Sequence, residues 1–219
     1  MNTFIGFIMG PMVWISILIF IFGLAFKVVK IINEVKAKEA YILNYMNLKY
    51  SLRSIGAWLV PFLPRSTRLH PVFWGVSYVF HICIFLVPLF LSSHIVLINE
   101  SFGIVWPALN DAVADGLTVV VIAALVFFFL RRVLVREIKY LTAPKDYILL
   151  ALVAIPFITG FLAYHQWIAY RWMVIIHVLS SELILMLIPF SGLVHMITAP
   201  LSRAYTGSEF GGIRHAKDW

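Results

Sequence analysis

Residues 170–201 read YRWMVIIHVLSSELILMLIPFSGLVHMITAPL, an apolar run about long enough to cross a lipid bilayer as one helix. The run carries two histidines, His177 and His195, eighteen residues apart. At about 3.6 residues per turn this is roughly five whole turns, so both imidazoles are predicted to face one side, roughly 27 Å apart along the helix. Each then lies near one face of the hydrocarbon layer, an arrangement that suits the axial ligands of two stacked haems.

A second apolar stretch, residues 67–97, carries a similar pair, His70 and His81. Eleven residues separate them, which is about three turns, so they are also predicted to share a face. A six-coordinate haem that carries electrons needs two axial ligands. Four imidazoles on two helices therefore predict two bis-histidine haems b, with these histidines bound to the haem iron.

The direction of the two helices predicts how the four histidines pair. Because one helix runs from inside to outside and the other runs back, His70 pairs with His195 at an inner haem. His81 then pairs with His177 at an outer haem. The two separations along the helices, about 16 Å and about 27 Å, do not match. Helix tilt and kinks at proline are expected to absorb the difference.

The composition excludes a soluble protein. The chain is 62% hydrophobic and 12% charged, with a mean hydropathy of +0.96, which is typical of a helical protein with several membrane spans. Its 219 residues form a single domain, 1–219. The net charge of +7 does not indicate nucleic-acid binding, because the basic residues lie at helix ends. Cys83, the single cysteine, excludes an internal disulfide, a CxxCH haem attachment and an iron–sulfur cluster.

Hydropathy predicts an all-α integral membrane protein with five transmembrane helices. Their approximate bounds are residues 4–26, 71–97, 113–133, 147–167 and 171–199. Of the seventeen Lys and Arg residues, Arg171 alone falls in a loop predicted to be external. The positive-inside rule therefore places the N-terminus outside and the C-terminus in the cytoplasm.

Two segments lie outside these spans. Residues 27–69 are predicted to extend the first helix and then to form an interfacial piece that ends at the proline-containing break 61–64. This piece either lies on the lipid surface or forms a surface for a cytoplasmic partner, and the sequence leaves both open. The chain beyond the fifth span is predicted to be a basic tail.

At these residues the chain resembles the gamma subunit of respiratory nitrate reductase, a five-span di-haem cytochrome b that oxidises quinol. The span count, the orientation and the spacing of both histidine pairs match. The chain is still more similar to the cytochrome b subunits of the Hmc, Tmc and Dsr redox complexes of sulfate reducers. That likeness covers nearly the whole chain and rests on the run His70-Pro71-Val72-Phe73 through His81 to Pro88 and His94, and on the external loop with Trp106-Pro107, Asp111-Ala112 and Ala114-Asp115.

The resemblance implies two haems b and a menaquinol or menaquinone site near the outer haem. It also implies a cytoplasmic iron–sulfur subunit of the heterodisulfide-reductase type and, in the Hmc and Tmc types, a periplasmic multihaem cytochrome c. The location it implies is the cytoplasmic (inner) membrane of a bacterium or an archaeon. The sequence departs from the nitrate-reductase subunit at Phe80, where that subunit has a glycine.

Quinol oxidation releases protons that a haem does not accept, so a base is expected near the outer haem. His94 and His165 are the candidate catalytic residues for this proton exchange, because the ordinary pKa of histidine is about 6.5. Interfacial hydrogen bonding is the alternative role for both. Arg171 is a candidate partner for a propionate of the outer haem, and Arg68 and Arg203 for the inner haem, with simple anchoring of helix ends as the alternative.

Glu182 is the one acid deep inside a predicted span, because Asp115 lies within two residues of the start of the third span. It is either a proton relay or a protonated acid bonded to a neighbouring helix, and the sequence favours neither. Two other functions compete with electron transfer. One is a transporter or proton channel that uses His81, His177 and Glu182, although five spans give no even inverted repeat. The other is a haem-free membrane anchor for a redox enzyme.

Overall fold

The computed structural model describes residues 2–219, and these residues form helices, turns and bends without a β-strand. The α-helices of this described part are α1 (Asn2–Ile8), α2 (Pro11–Lys38), α3 (Tyr41–Tyr45), α4 (Leu48–Leu59), α5 (Arg65–Leu69), α6 (Pro71–Phe90), α7 (Ser92–Phe102), α8 (Asp111–Leu134), α9 (Arg136–Leu141), α10 (Pro144–His165), α11 (Tyr170–Leu187) and α12 (His195–Gly207).

Five helical segments of the described chain are long and apolar enough to cross a membrane, which confirms the predicted all-α class and span count. They are Thr3–Lys38, Pro71–Phe90, Asp111–Leu134, Pro144–His165 and Tyr170–Phe190. The first span extends beyond the hydrophobic run to Lys38, as predicted from the sequence. The outside position of the N-terminus stays a prediction.

The second span begins at Pro71, as predicted, but ends earlier than predicted. Helix α6 ends at Phe90 rather than at residue 97, since Leu91 is extended and Ser92 begins α7. His70 is not on α6: it follows α5 with φ −132° and ψ 65°, outside the helical region. The cause is Pro71, which disfavours helical dihedrals in the residue before it. The His70 carbonyl accepts from the Trp74 N–H at 3.1 Å, so His70 is the residue that caps the start of α6, and its sharing a face with His81 stays a prediction.

The fifth span also ends earlier than predicted. Helix α11 passes into a 3₁₀ turn, Ile188–Phe190, and a second 3₁₀ turn follows before His195 begins α12. Pro189 has no N–H to continue the α-helical hydrogen bonds, and the Ser191 side chain caps the second turn by accepting from the Leu193 N–H at 3.2 Å. The span predicted over 171–199 is thus wrong beyond Phe190, and His177 and His195 do not share one continuous helix.

The segment predicted to be a basic tail is helical over most of its length. Helix α12 leads into a π-helix, Ser208–Ile213, and both pack against α4. The contact is made by small residues: Ser51 and Ser54 of α4, and Ala204 and Gly207 of α12, are all buried. Short side chains let the two helix backbones approach closely, which a longer side chain would prevent.

Contacts divide the chain into two compact units. The first comprises Met1–Trp74 and Glu182–Trp219, and contains the α4–α12 contact and the packing of Pro189 against Gly23. The second comprises Gly75–Ser181, in which α8 packs against α10.

Candidate functional site

The His177 imidazole is held by helix α10. Its Nδ1 lies 2.8 Å from the carbonyl oxygen of Pro156. Because a carbonyl only accepts hydrogen bonds, Nδ1 carries the proton and Nε2 keeps its lone pair. Metal-binding histidines are commonly fixed in this way, with the second ring nitrogen donating to a backbone carbonyl.

Gly160 makes the space for this ring. A Cβ atom at Gly160 would lie 2.9 Å from both Cε1 and Nδ1 of His177, closer than carbon and nitrogen atoms pack. Gly160 is one turn after Pro156 on α10, so the same helix face supplies both the hydrogen-bond acceptor and the gap. The His177 ring can occupy this position because Gly160 has no side chain.

The imidazole beside His177 is that of His94. The two ring centres are 6.0 Å apart and the ring planes are inclined by 25°. His94 Nδ1 donates to the Pro88 carbonyl oxygen at 2.9 Å, so its Nε2 also keeps a lone pair. The sequence analysis paired His177 with His81 and gave His94 a role in proton exchange. The structure instead brings His94 and His177 together.

The end of α6 explains how His94 reaches this position. The last carbonyl groups of a helix have no partner within it. Here the Leu89 carbonyl accepts from Trp106 Nε1 at 2.8 Å, and the Phe90 carbonyl accepts from the Leu109 N–H at 2.9 Å. The loop between α7 and α8 thus caps α6, and the turn into α7 directs His94 back to Pro88.

An iron ion between two imidazoles holds their ring centres roughly 6 Å apart, since each metal–nitrogen bond is about 2 Å long. The ring centres of His94 and His177 are separated by a similar distance, 6.0 Å, although these rings are stacked whereas two imidazoles on one iron point their Nε2 atoms at it. Within residues 2–219 no group of three or more His, Cys, Asp and Glu side chains is placed to hold a metal ion. A haem needs at most two protein ligands, because the porphyrin supplies the other four, so a histidine pair is a sufficient donor set.

His81 and His195 each make the same kind of hydrogen bond as His94 and His177, from Nδ1 to a backbone carbonyl. His81 Nδ1 donates to the Ser77 carbonyl at 2.7 Å, and His195 Nδ1 donates to the Gly192 carbonyl at 2.8 Å. Their Nε2 atoms are therefore the unprotonated ring nitrogens. His70 is exposed at the end of α5. His70 and His195 both belong to the first unit, and their pairing at an inner haem stays a prediction.

His165 is paired with an acid. Its Nε2 lies 2.9 Å from the Asp115 carboxylate, which joins the end of α10 to the first turns of α8. The ring is stacked on Trp167, with centres 4.7 Å apart and planes inclined by 26°, and it also contacts Phe161. Asp115 therefore fixes the orientation of the imidazole, as an acid does for a histidine that handles protons.

The three candidate propionate partners differ in their surroundings. The Arg203 guanidinium lies over the Trp58 ring, 4.8 Å from its centre, while Arg68 and Arg171 are exposed side chains. Their contact with a haem stays a prediction. Glu182 is buried, and within the described chain neither carboxylate oxygen has a hydrogen-bond partner.

The sequence-based predictions include no functional role for Pro156 and Gly160, which both contact the His177 ring site. Their spacing of four residues is a visible signal, because it places a proline and a glycine on one helix face inside a membrane span. What the spacing did not reveal is which histidine that face would meet.

Comparisons with known proteins give one informative relationship. No protein-family model matches the chain, and no solved structure is similar to it. A protein of Nitratidesulfovibrio vulgaris (strain Hildenborough), whose recorded name is simply "Protein", is 38% identical over 209 residues, which cover 94% of this chain and 92% of the relative. At this identity and coverage, the chain belongs to the same protein family as that Nitratidesulfovibrio vulgaris protein.

Proposed function

We propose that the chain is a membrane cytochrome b subunit of a respiratory redox complex. In this proposal two bis-histidine haems b carry electrons between the menaquinone pool and partner redox subunits. The observation that carries it is the facing pair of His94 and His177, each with Nδ1 bound to a backbone carbonyl and Nε2 unprotonated. The five membrane spans are the second support.

His94 and His177 hold the outer haem in this assignment, and the predicted pair His70 and His195 holds the inner one. A haem supplies reversible one-electron transfer at its iron. The protein contributes the ring orientations: Pro88 and Pro156 each accept a hydrogen bond from an Nδ1, which keeps the two imidazoles from rotating. Because Gly160 has no side chain, it leaves the space that the His177 ring occupies.

The Asp115–His165 pair is the proposed proton acceptor for menaquinol. With Nε2 donating to the Asp115 carboxylate, Nδ1 of His165 is the ring nitrogen that accepts a proton. The Asp115 carboxylate then lies next to the imidazolium that forms and offsets its charge. His94, the other candidate for this role, is assigned to the haem.

The proposed setting follows from the resemblance to the nitrate-reductase and sulfate-reducer cytochromes. It is the cytoplasmic membrane of a bacterium or an archaeon, with the N-terminus outside. The partners are a cytoplasmic iron–sulfur subunit of the heterodisulfide-reductase type and a periplasmic multihaem cytochrome c.

We expect the purified protein to contain two haems b, and the variants His94→Ala and His177→Ala to contain one each. The measurement is a reduced-minus-oxidised visible spectrum with a pyridine haemochrome count. His165→Ala is the control, because its ring belongs to the proton-accepting pair, and it should keep both haems. If His81→Ala loses the same haem as His177→Ala, and His94→Ala keeps both haems, the pairing of His81 with His177 is restored.

A colourless wild-type protein with an intact fold would overturn the electron-transfer proposal. It would favour a haem-free membrane anchor or a proton-conducting subunit, and the buried Glu182 carboxyl, which has no hydrogen-bond partner in the described chain, supports the second of these.

We expect Asp115→Asn to slow menaquinol oxidation about tenfold or more without loss of haem, since a positioned base commonly accelerates proton transfer by at least that factor. The measurement is the rate of haem reduction by a menaquinol analogue in the purified protein. Ser92→Ala is a matched control, because its hydroxyl donates to Asp111 at 3.0 Å and the change removes a different acid's hydrogen bond. Equal rates in wild type and Asp115→Asn would contradict the role of the pair.

A further inference from the structure

Helix α4 has two different faces. Its small residues pack against α12, while Leu48, Leu52 and Leu59 are 75%, 59% and 72% exposed. These three leucines recur at helical spacing and form a stripe on one side of α4. The apolar exposed surface continues into the next turn through Val60, Phe62 and Leu63. We call this exposed surface, from Leu48 to Leu63, the leucine face.

The leucine face begins and ends close to a membrane. The segment that contains α4 follows the span Thr3–Lys38 and precedes the span Pro71–Phe90. Both ends of this segment are therefore fixed at a lipid boundary, and α4, with twelve residues, is too short to be one of the spans. A helix with an exposed apolar stripe in this position lies in the plane of the membrane interface.

A groove of about 470 Å³ opens next to the leucine face. Its lining combines two cations, Arg65 and Lys217, with the aromatic rings of Trp58 and Trp219 and the apolar side chain of Leu69. Lys217 Nζ lies 5.6 Å from the centre of the Trp219 ring. Cations with indole rings and apolar walls suit a ligand that has both a phosphate and an acyl region.

The acid in this groove is Asp218, and it is paired with Arg53 within the protein. Asp218 accepts a hydrogen bond from Ser54 Oγ, and its carboxylate lies 3.7 Å from Arg53. Its side chain is fully buried, so Arg65 and Lys217 set the charge that the groove presents to a ligand. That charge is positive.

We propose that this groove binds the headgroup of an anionic phospholipid while the leucine face lies in the lipid beneath it. Arg65 and Lys217 contact the phosphate, and the leucines contact the acyl chains. The structure thereby assigns the segment between the first two spans to the membrane surface, an alternative that the sequence left open. None of the four proposed haem ligands lines the groove, but Arg203, a candidate propionate partner of the inner haem, lies over its Trp58.

The test uses the full-length protein in a neutral detergent, titrated with phosphatidylglycerol, phosphatidylcholine or inorganic phosphate. Native mass spectrometry counts the bound lipid. We expect phosphatidylglycerol to bind in preference to phosphatidylcholine, and the double variant Arg65→Gln/Lys217→Gln to lower its affinity about tenfold. The control Arg136→Gln/Lys139→Gln removes two exposed cations of α9 and should change the affinity little.

Three results would overturn the proposal. The first is equal affinity for the two lipids, and the second is an equal loss in the control double variant. The third is displacement of the lipid by inorganic phosphate at comparable concentration, which would make the groove a site for a free anion.

A spin label tests the leucine face independently of the groove. The label is placed at Leu52→Cys in a Cys83→Ser background, and the protein is reconstituted in phosphatidylglycerol-containing vesicles. We expect oxygen, which partitions into lipid, to relax the label more than a water-soluble nickel chelate does. The opposite order would place α4 in water and leave its leucines for a protein partner.

Discussion

Gly160→Ala is expected to remove or strongly weaken one of the two proposed haems b. The added Cβ would lie 2.9 Å from the His177 ring, so the ring must turn away from the Pro156 carbonyl and from His94. Since no ligand is deleted, loss of haem would show that the position of the imidazole is what matters. A pyridine haemochrome count and a redox titration of the purified variant measure the effect.

The matched control is Gly116→Ala, because Gly116 is also a glycine inside a spanning helix. A Cβ at Gly116 would have no other atom within 4 Å. Alanine is intrinsically favoured over glycine in a helix by about 1 kcal/mol, so this control should keep both haems and full stability. Two haems with unchanged potentials in Gly160→Ala would contradict the assignment of His177 as a ligand.

Gly207→Ala is expected to separate the C-terminal helix from α4. Its Cβ would lie 2.5 Å from the Tyr50 carbonyl oxygen and closer still to Ser54 Cβ. A backbone oxygen cannot rotate away as a side chain can, so the two helices must move apart. Overpacking of this kind costs about 1–3 kcal/mol, and it also strains the hydrogen bond from Ser51 Oγ to the Ala204 carbonyl.

Hydrogen–deuterium exchange measures this separation, as faster exchange in the peptides that cover Leu48–Leu59 and His195–Gly207. Gly56→Ala is the control on the same helix pair, because a Cβ at Gly56 would have no other atom within 4 Å. It should leave exchange unchanged or slow it. Equal exchange in the two variants would mean that the close approach of α4 and α12 does not stabilise this part of the protein.

The pairing of the histidines shows where sequence reasoning failed. The spacing of His177 and His195 predicted a shared face only on the assumption of one unbroken helix. Pro189 ends that helix. The break at Leu91 likewise places His94 on α7 instead of on α6. Helical periodicity does not extend across such breaks, so it could not place His94 next to His177.

The segment between the first two spans shows a different limit. Its charges and apolar residues predicted an interfacial piece, but nothing in that stretch indicated α12 as its partner. The contact joins Ser51 with Ser208, residues far apart in the chain, through a hydrogen bond of 2.9 Å between their hydroxyl groups. The contact was not predicted because it is made by small residues, which carry no periodic hydrophobic signal.

The sequence by itself determined the class of the protein, its five spans and the residue types that could bind haem, because hydropathy and helix length respond directly to local composition. Only the tertiary structure decided which imidazoles face each other. It did so through contacts that hydropathy does not encode: a carbonyl at Pro156, a missing side chain at Gly160, and the loop between α7 and α8 that caps α6. These contacts depend on the positions of backbone atoms after the helices have packed, which is why no pattern along the chain could report them.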